Sequence, residues 1–166
     1  MEQSAVLISL LAILREANNI VTAQSPGAIC VQASGVGQLE TMPNTYKFWF
    51  RPAHSSDTLT IEVSEDVRTG QMTAGPVTPG GPILGVGGDL TRATVDIYAA
   101  VKAIREAGYA DPIFFCGLFQ AVVPHITEPW YSFTPNNCAS PSSENYIFVN
   151  SITAQVRLFP SDQAYK

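Results

Sequence analysis

An internal repeat constrains the fold of this chain more than any other feature of its sequence. Five short segments of the first half recur in the same order in the second half, at an offset of 84 to 90 positions. The matched segments are 14–17 with 104–107, 28–29 with 112–113, 46–48 with 131–133, 61–63 with 147–149, and 69–72 with 153–156. Because the matches include a helix end, an aromatic strand and a terminal turn, we expect a duplicated structural module.

Each half opens with a segment of helical periodicity. Apolar residues three and four positions apart predict a first helix over 4–19, and they are Leu7, Leu10, Leu11, Leu14 and Ala17. A second helix is predicted to begin at Asp89 or Thr91 and to end at Gly108. Its residues Asp96, Lys102, Arg105 and Glu106 are expected to face water. The first helix has almost no polar face, because Ser9 is the only polar residue of 6–14. We therefore expect it to be covered on a second side, by the other module or by another subunit.

Strand patterns follow each helix. They are predicted at 28–34, 46–51 and 58–64 in the first half, and at 113–123, 130–134, 146–150 and 152–159 in the second. In 58–64 apolar and polar residues alternate, which is typical of a half-buried antiparallel strand. The sequence therefore predicts an α+β fold of two tandem α-β-β-β modules with antiparallel sheets, 1–74 and 89–166. The Pro/Gly-rich segment 75–88 between them is expected to be an exposed linker without regular structure.

Charge and hydropathy exclude two classes of function. The net charge is −5, and the nine Lys and Arg residues are scattered singly, so nucleic acid is not an expected partner. The longest apolar stretch, 5–14, is too short to span a bilayer, and the repeat assigns it to a folded helix rather than to a targeting segment. The three cysteines, Cys30, Cys116 and Cys138, are compatible with one disulfide and a free thiol or with three thiols.

In the first half, a helix, a Pro-Gly turn, a strand and the aromatic strand 46–50 precede a last strand that reads apolar-x-Val and closes on Thr69-Gly70. This order of elements resembles the PepSY-like module, a cystatin-like arrangement of one helix and an antiparallel sheet. Segment 146–156 is similar, with Ala154 in place of the glycine, and the family's usual Asp is replaced by Ser64 and Asn150. The resemblance implies a small extracytoplasmic domain without catalytic residues that inhibits or chaperones a protease or binds at the cell envelope.

Three patterns invite a chemical interpretation, and each has a simpler structural one. The glycine loop 85–88 lacks the Lys-Ser/Thr of a phosphate-binding loop and has an aspartate at its end, so we interpret it as linker. Cys116 and His125 show no spacing that indicates a nucleophile pair. The carboxylates around 57–66 are typical of a solvated strand face. No catalytic residue, metal ligand or cofactor is therefore predicted.

Aromatic residues on strands are the remaining candidates for a binding site. Trp49 alternates with Phe48 and Phe50 and so points to the opposite face, and Trp130 with Tyr131 occupies the matching place in the second half. Trp49, Trp130 and Tyr131 are the predicted binding residues if that face is not covered by a second layer. The sequence thus favours a non-enzymatic binding or inhibitory module for a protein partner. Two alternatives are a small-ligand protein or enzyme with its pocket between helix and sheet, and a structural subunit that oligomerises through helix 1.

Overall fold

The computed structural model describes residues 9–35, 44–66, 68–110, 113–134 and 145–160. Two α-helices, α1 (Leu10–Gln24) and α2 (Ile97–Glu106), and a 3₁₀ helix, η1 (Leu90–Arg92), accompany ten strands. The strands are β1 (Ile29–Gly35), β2 (Thr45–Arg51), β3 (Asp57–Glu65), β4 (Met72–Ala74), β5 (Thr78–Pro82), β6 (Val86–Gly87), β7 (Phe114–Ala121), β8 (Trp130–Thr134), β9 (Asn145–Asn150) and β10 (Val156–Pro160).

All the described strands belong to one antiparallel sheet that crosses the whole molecule. Its order is β10-β9-β8-β7-β1-β2-β3-β4, with β5 paired to β3 and β6 paired to β7. The predicted α+β class with antiparallel pairing is confirmed. The first strand of each half lies at the centre, where Gln32 pairs with Phe119 and Ala33 with Leu118. The two halves therefore share one sheet rather than forming one each.

Helix α1 begins later and ends later than the sequence pattern predicts. Ser9 has extended backbone angles and its hydroxyl accepts from the Ala12 amide at 3.1 Å, which makes it the N-cap. Positions 4–8 of the predicted helix lie outside the described residues. Asn18-Asn19 do not end the helix, because the next turn brings the fully buried Val21 into the core. Tertiary burial here outweighs the low helix propensity of asparagine.

The start of the second helix was predicted at the wrong aspartate. Asp89 caps the short helix η1, whose Thr91 amide it binds at 2.9 Å. Helix α2 begins only at Ile97, and Asp96 is its N-cap, with a 2.8 Å bond to the Ile97 amide. Asp96 therefore does not belong to the wet face of the helix. Lys102 and Glu106 do lie on that face, exposed and 3.7 Å apart.

The segment 75–88 is mostly exposed, as predicted, but the expected lack of regular structure is wrong for β5 and β6. Strand β5 pairs with β3, and the Thr58 hydroxyl donates to the Gly81 carbonyl at 2.6 Å. Pro79 and Pro82 are tolerated because β5 lies at the edge of the sheet, where no further strand needs their missing amides. Arg51 binds the carbonyls of Ile83 and Val86 and so ties the segment to the sheet.

The core lies between the two helices and one face of the sheet. Both helices contribute fully buried residues to a single apolar cluster with the inward residues of the strands. From the helices come Leu10, Ile13, Leu14, Ala17, Val21, Ile97, Ala100 and Ile104, and the largest strand residues are Tyr46, Phe48, Phe50, Tyr131 and Phe133. In the described part of the chain, no helix packs on the opposite face of the sheet. That face is the first place to look for a binding surface.

Candidate functional site

Strict alternation in β2 separates core residues from residues of the helix-free face. Tyr46, Phe48 and Phe50 are fully buried under the helices. Lys47 and Trp49 point the other way and are half-buried. Trp49 therefore points to the face opposite that of Phe48 and Phe50, as predicted.

The register of four strands places two tryptophans in one line across the helix-free face. Trp49 of β2 pairs with Gln32 of β1, Gln32 pairs with Phe119 of β7, and Phe119 pairs with Trp130 of β8. Directly paired residues of antiparallel strands project to the same face. We call Trp49, Gln32, Phe119 and Trp130 the tryptophan row, and all four side chains are half-buried. At about 4.8 Å per strand, the three steps from β2 to β8 separate the two tryptophans by about 14 Å.

A cation lies over each tryptophan of the row. Lys47 Nζ is 5.2 Å from the ring centroid of Trp49, and Arg157 Cζ is 5.0 Å from that of Trp130. Such contacts contribute about 0.5–1 kcal/mol at exposed sites. Within the described ranges the only ion pair joins Lys102 to Glu106. Lys47 and Arg157 are thus held by the indole rings and not by a described carboxylate.

A groove of about 240 Å³ adjoins the row at Lys47. It lies where 75–78 passes beside β2 and β3, and its lining includes Lys47, Glu62 and the hydroxyls of Thr60 and Thr78, which are 2.9 Å apart. Its volume is below the roughly 300–1,000 Å³ of sites for drug-sized ligands. The groove can receive one side chain or a small polar group.

Tyr131 does not join the other two predicted binding residues. Its side chain is fully buried under the helices, and its hydroxyl donates to the Val95 carbonyl at 2.7 Å. The alternation of β8 that exposes Trp130 turns its neighbour Tyr131 into the core. The structure therefore brings Trp49 and Trp130 to one face and places Tyr131 on the other.

A polar cluster of Ser9, Tyr46, Asp96 and Tyr131 lies where the two helices begin. Asp96 accepts from the Ser9 hydroxyl and from the Leu11 amide of α1, as well as from its own helix at Ile97. The Tyr46 hydroxyl is buried and, in the described part of the structure, has no hydrogen-bond partner. Burial, followed by the charge of Asp96, raises the pKa of both tyrosines above the usual value.

We name these four residues the Asp96 cluster. The sequence pattern does not predict this cluster, because it places Asp96 on the solvent-facing side of the second helix. The signal that was present is an aspartate directly before the apolar periodicity that starts at Ile97. The Asp96 carboxylate accepts hydrogen bonds at the N-termini of both helices. This is the role of a structural helix cap and not of a catalytic base.

The other chemical candidates of the sequence have structural roles. Cys116 is in a disulfide and so offers no thiolate to His125, while Cys30 is a free, fully buried thiol whose pKa is raised by burial. Cys138 lies outside the described residues. In the glycine loop, a Cβ at Gly88 would lie 2.1 Å from Gln120 Oε1, so the loop is packed against β7.

Asp57 and Glu62 are exposed on β3, as expected for a solvated strand face, and Asp66 also serves the fold. Asp66 Oδ1 accepts from the amides of Arg68 and Thr69 and so closes the turn after β3. Among the residues described, no three His, Cys, Asp or Glu side chains gather as a metal site. Neither described helix has the length and hydropathy to cross a lipid bilayer.

The sequence matches no protein-family model, no curated protein and no solved structure. The features that bear on function are therefore the helix-free face and the Asp96 cluster.

Proposed function

We propose that this chain is a non-enzymatic binding module that holds a protein partner on the tryptophan row. The observation that carries the proposal is the placement of Trp49 and Trp130, both half-buried, in one register line on the face without helices. Tryptophan is among the residues that dominate binding energy in protein interfaces. On this sheet face the two tryptophans are separated by the side chains of Gln32 and Phe119. Such a surface is suited to a partner that covers the whole row.

The proposal includes the resemblance to tandem PepSY-like modules and their inhibitory role. The strand order supports it, because β1 to β4 run outward from the centre on one side and β7 to β10 on the other. Tyr46 and Tyr131, which the repeat pairs, both lie in the second strand of their half. The disulfide at Cys116 supports an extracytoplasmic location, since disulfides persist in oxidising compartments.

A small-ligand protein with its site between helix and sheet is the second candidate. The buried Tyr46 hydroxyl without a described partner favours it, because such a group usually finds a hydrogen bond. Against it, the Asp96 carboxylate beside that hydroxyl is already bonded to both helices. The third candidate is a structural subunit that oligomerises through helix 1. It was suggested by the apolar surface of that helix, but Leu10, Ile13 and Leu14 are buried within the single chain.

Intrinsic fluorescence tests the proposal directly, because Trp49 and Trp130 are the only tryptophans of the chain. Peptides selected from a random library on the full chain should shift the tryptophan emission to the blue as they cover the row. The double variant Trp49→Ala/Trp130→Ala has no tryptophan, so its affinity is measured by isothermal titration calorimetry. It should bind at least about thirtyfold more weakly, since even one hot-spot aromatic contributes about 2 kcal/mol or more.

Tyr98→Ala is the matched control, because Tyr98 is an aromatic residue 46% exposed on α2, away from the row. This variant should bind like the wild type. Selected peptides that bind the double tryptophan variant unchanged, or that lose affinity with Tyr98→Ala instead, would refute the proposed site.

A further inference from the structure

We infer that the partner segment is acidic, and that its carboxylates pair with Lys47 and Arg157 while its apolar groups cover the tryptophan row. This inference rests on the proposed function and adds the chemistry of the partner. It starts from two cations that flank the same aromatic line at its two ends.

Lys47 and Arg157 are available for pairing and are already positioned. Each is placed over an indole ring, at 5.2 and 5.0 Å from the ring centroid, and neither has a carboxylate within ion-pair distance among the described residues. A long cationic side chain that rests on a ring loses less conformational entropy when it binds a carboxylate than one free in solvent. Two preorganised cations, over tryptophans that are about 14 Å apart, therefore select a segment with acidic groups on both sides of an apolar centre.

These two cations belong to a chain whose net charge is −5. An acidic partner is repelled by most of the protein and attracted at the row, which restricts where it can dock. Glu62 further limits where an acidic partner can bind. It lies opposite Lys47 in the register and lines the same groove, but makes no ion pair with it. A partner carboxylate in the groove is then attracted by the Lys47 ammonium and repelled by the nearby Glu62 carboxylate.

An anionic membrane is the rival surface for tryptophans beside cations, and the charge balance argues against it. A juxtamembrane cation contributes only about 1 kcal/mol to binding at an anionic lipid surface, so membrane adsorption needs a cluster of them. Among the described residues, two cations lie over the rings of the row, in a chain whose net charge is −5 and which an anionic surface would repel. An acidic peptide can satisfy both cations without bringing the rest of the chain close to further negative charge.

Selection from a random-peptide library on the full chain provides the test. Recovered peptides should be enriched in Asp and Glu around apolar residues. A synthetic peptide of this kind should bind Lys47→Gln/Arg157→Gln about tenfold more weakly than the wild type, as expected for two partly desolvated charge pairs. Glu62→Gln should bind it about two- to threefold more tightly, because the carboxylate that repels the partner's acids is gone. The same peptide with Asn and Gln in place of its acids should not distinguish the three proteins.

Failure of this inference is distinguishable from failure of the proposed function. Peptides without acidic enrichment, or affinity that changes less than twofold in Lys47→Gln/Arg157→Gln, would overturn the acidic partner while dependence on Trp49 and Trp130 still supports the row as a binding site. A blue shift with phosphatidylserine vesicles but with no peptide would assign the face to a membrane. Tryptophan emission that changes together with a concentration-dependent doubling of mass would assign it to a second copy of the chain. Either result contradicts the inference.

Discussion

Ser9 donates its hydroxyl hydrogen bond to the carboxylate of Asp96, so that the residues that precede the two helices are bonded to each other. Each is also the N-cap of its own helix, with Ser9 bound to the Ala12 amide and Asp96 to the Ile97 amide. The Leu11 amide of α1 adds a 3.3 Å bond to Asp96. One carboxylate thus serves the positive ends of two helix dipoles and joins elements 87 positions apart in the sequence.

Asp96→Ala should lower the free energy of unfolding by about 2 kcal/mol, about 1 for the lost cap of α2 and about 1 for the bonds to α1. Asp96→Asn keeps acceptor oxygen and should cost less. Urea unfolding with an unchanged m-value is the measurement. Asp89→Ala is the matched control, because Asp89 caps only the one-turn helix η1. Equal losses for Asp96→Ala and Asp89→Ala would show that Asp96 does not join the helices.

The hydroxyls of Tyr46 and Tyr131 form a natural pair for a second prediction. Tyr131 donates to the Val95 carbonyl at 2.7 Å, whereas the buried Tyr46 hydroxyl has no partner in the described structure. Tyr131→Phe should cost about 1–2 kcal/mol because Val95 loses its bond as well. Tyr46→Phe should be neutral or stabilising, since it removes a desolvated polar atom. Equal destabilisation by both changes would mean that Tyr46 has a partner, which is the result that the small-ligand alternative requires.

The same tyrosines predict the response of the protein to high pH. Burial and the charge of Asp96 hold the pKa of both above the value of about 10 expected in an unfolded chain. The folded state therefore binds these protons more tightly, and its stability is complete below about pH 10 and falls as the pH rises beyond it. In an alkaline titration, the phenolate absorbance of Tyr46 and Tyr131 should appear only when the protein unfolds. Unfolding is followed by the loss of the near-ultraviolet circular dichroism signal. Phenolates of Tyr46 and Tyr131 that form in a fully folded protein would contradict this.

Local patterns were sufficient to predict β2 and β8, which contain the two tryptophans of the row, and β3, which lies beside β2. The predicted strand 130–134 agrees with β8, and 46–51 and 58–64 fall within one residue of β2 and β3. The opposite directions of Phe48 and Trp49 follow from the two-residue period of a strand alone. That is why Trp49 could be identified as a binding candidate before the fold was known.

Pairing between the halves could not be predicted in the same way. Gln32 meets Phe119 across 87 positions of sequence, and both β1 and β7 carry an irregularity in the register with their outer neighbours. A local pattern specifies which face a residue joins but not which distant strand lies beside it. The cap of α2 was missed for a related reason. Asp89, Thr91 and Asp96 are all competent caps, and the bond from Ser9 to Asp96 is a tertiary contact.

A substitution at Gly80 tests whether β5 is packed against β3 at the edge of the sheet. A Cβ at Gly80 would lie 2.5 Å from Thr60 Cγ2 and 2.6 Å from Thr58 Oγ1, both on buried side chains of β3. Gly80→Ala should therefore displace β5, remove amide protection in hydrogen exchange at 78–82, and cost about 1–3 kcal/mol. In Gly75→Ala the added Cβ would be 3.5 Å from the Glu62 carbonyl oxygen, an ordinary contact, and protection should persist. Persistent protection in Gly80→Ala would show that β5 is not packed as described.

A substitution at Ile13 tests what covers the apolar first helix. The sequence left two possibilities, the rest of the same chain or another subunit, and Ile8, a second position suited to this test, lies outside the described residues. Ile13 is fully buried within one chain, in the same cluster as Phe48 and Ile61 of the sheet. Ile13→Asp should therefore unfold the monomer, because a buried unpaired carboxylate costs several kcal/mol, about 3 or more.

Asn19→Asp is the control for Ile13→Asp, since it introduces a carboxylate at an exposed position of the same helix. It should remain folded, with an unchanged circular dichroism spectrum and native mass. If Ile13→Asp also remained folded but sedimented at a smaller mass than the wild type, the helix would be covered by another subunit. The apolar side of α1 would then be the oligomer interface, and the burial of Ile13 within the single chain would be wrong.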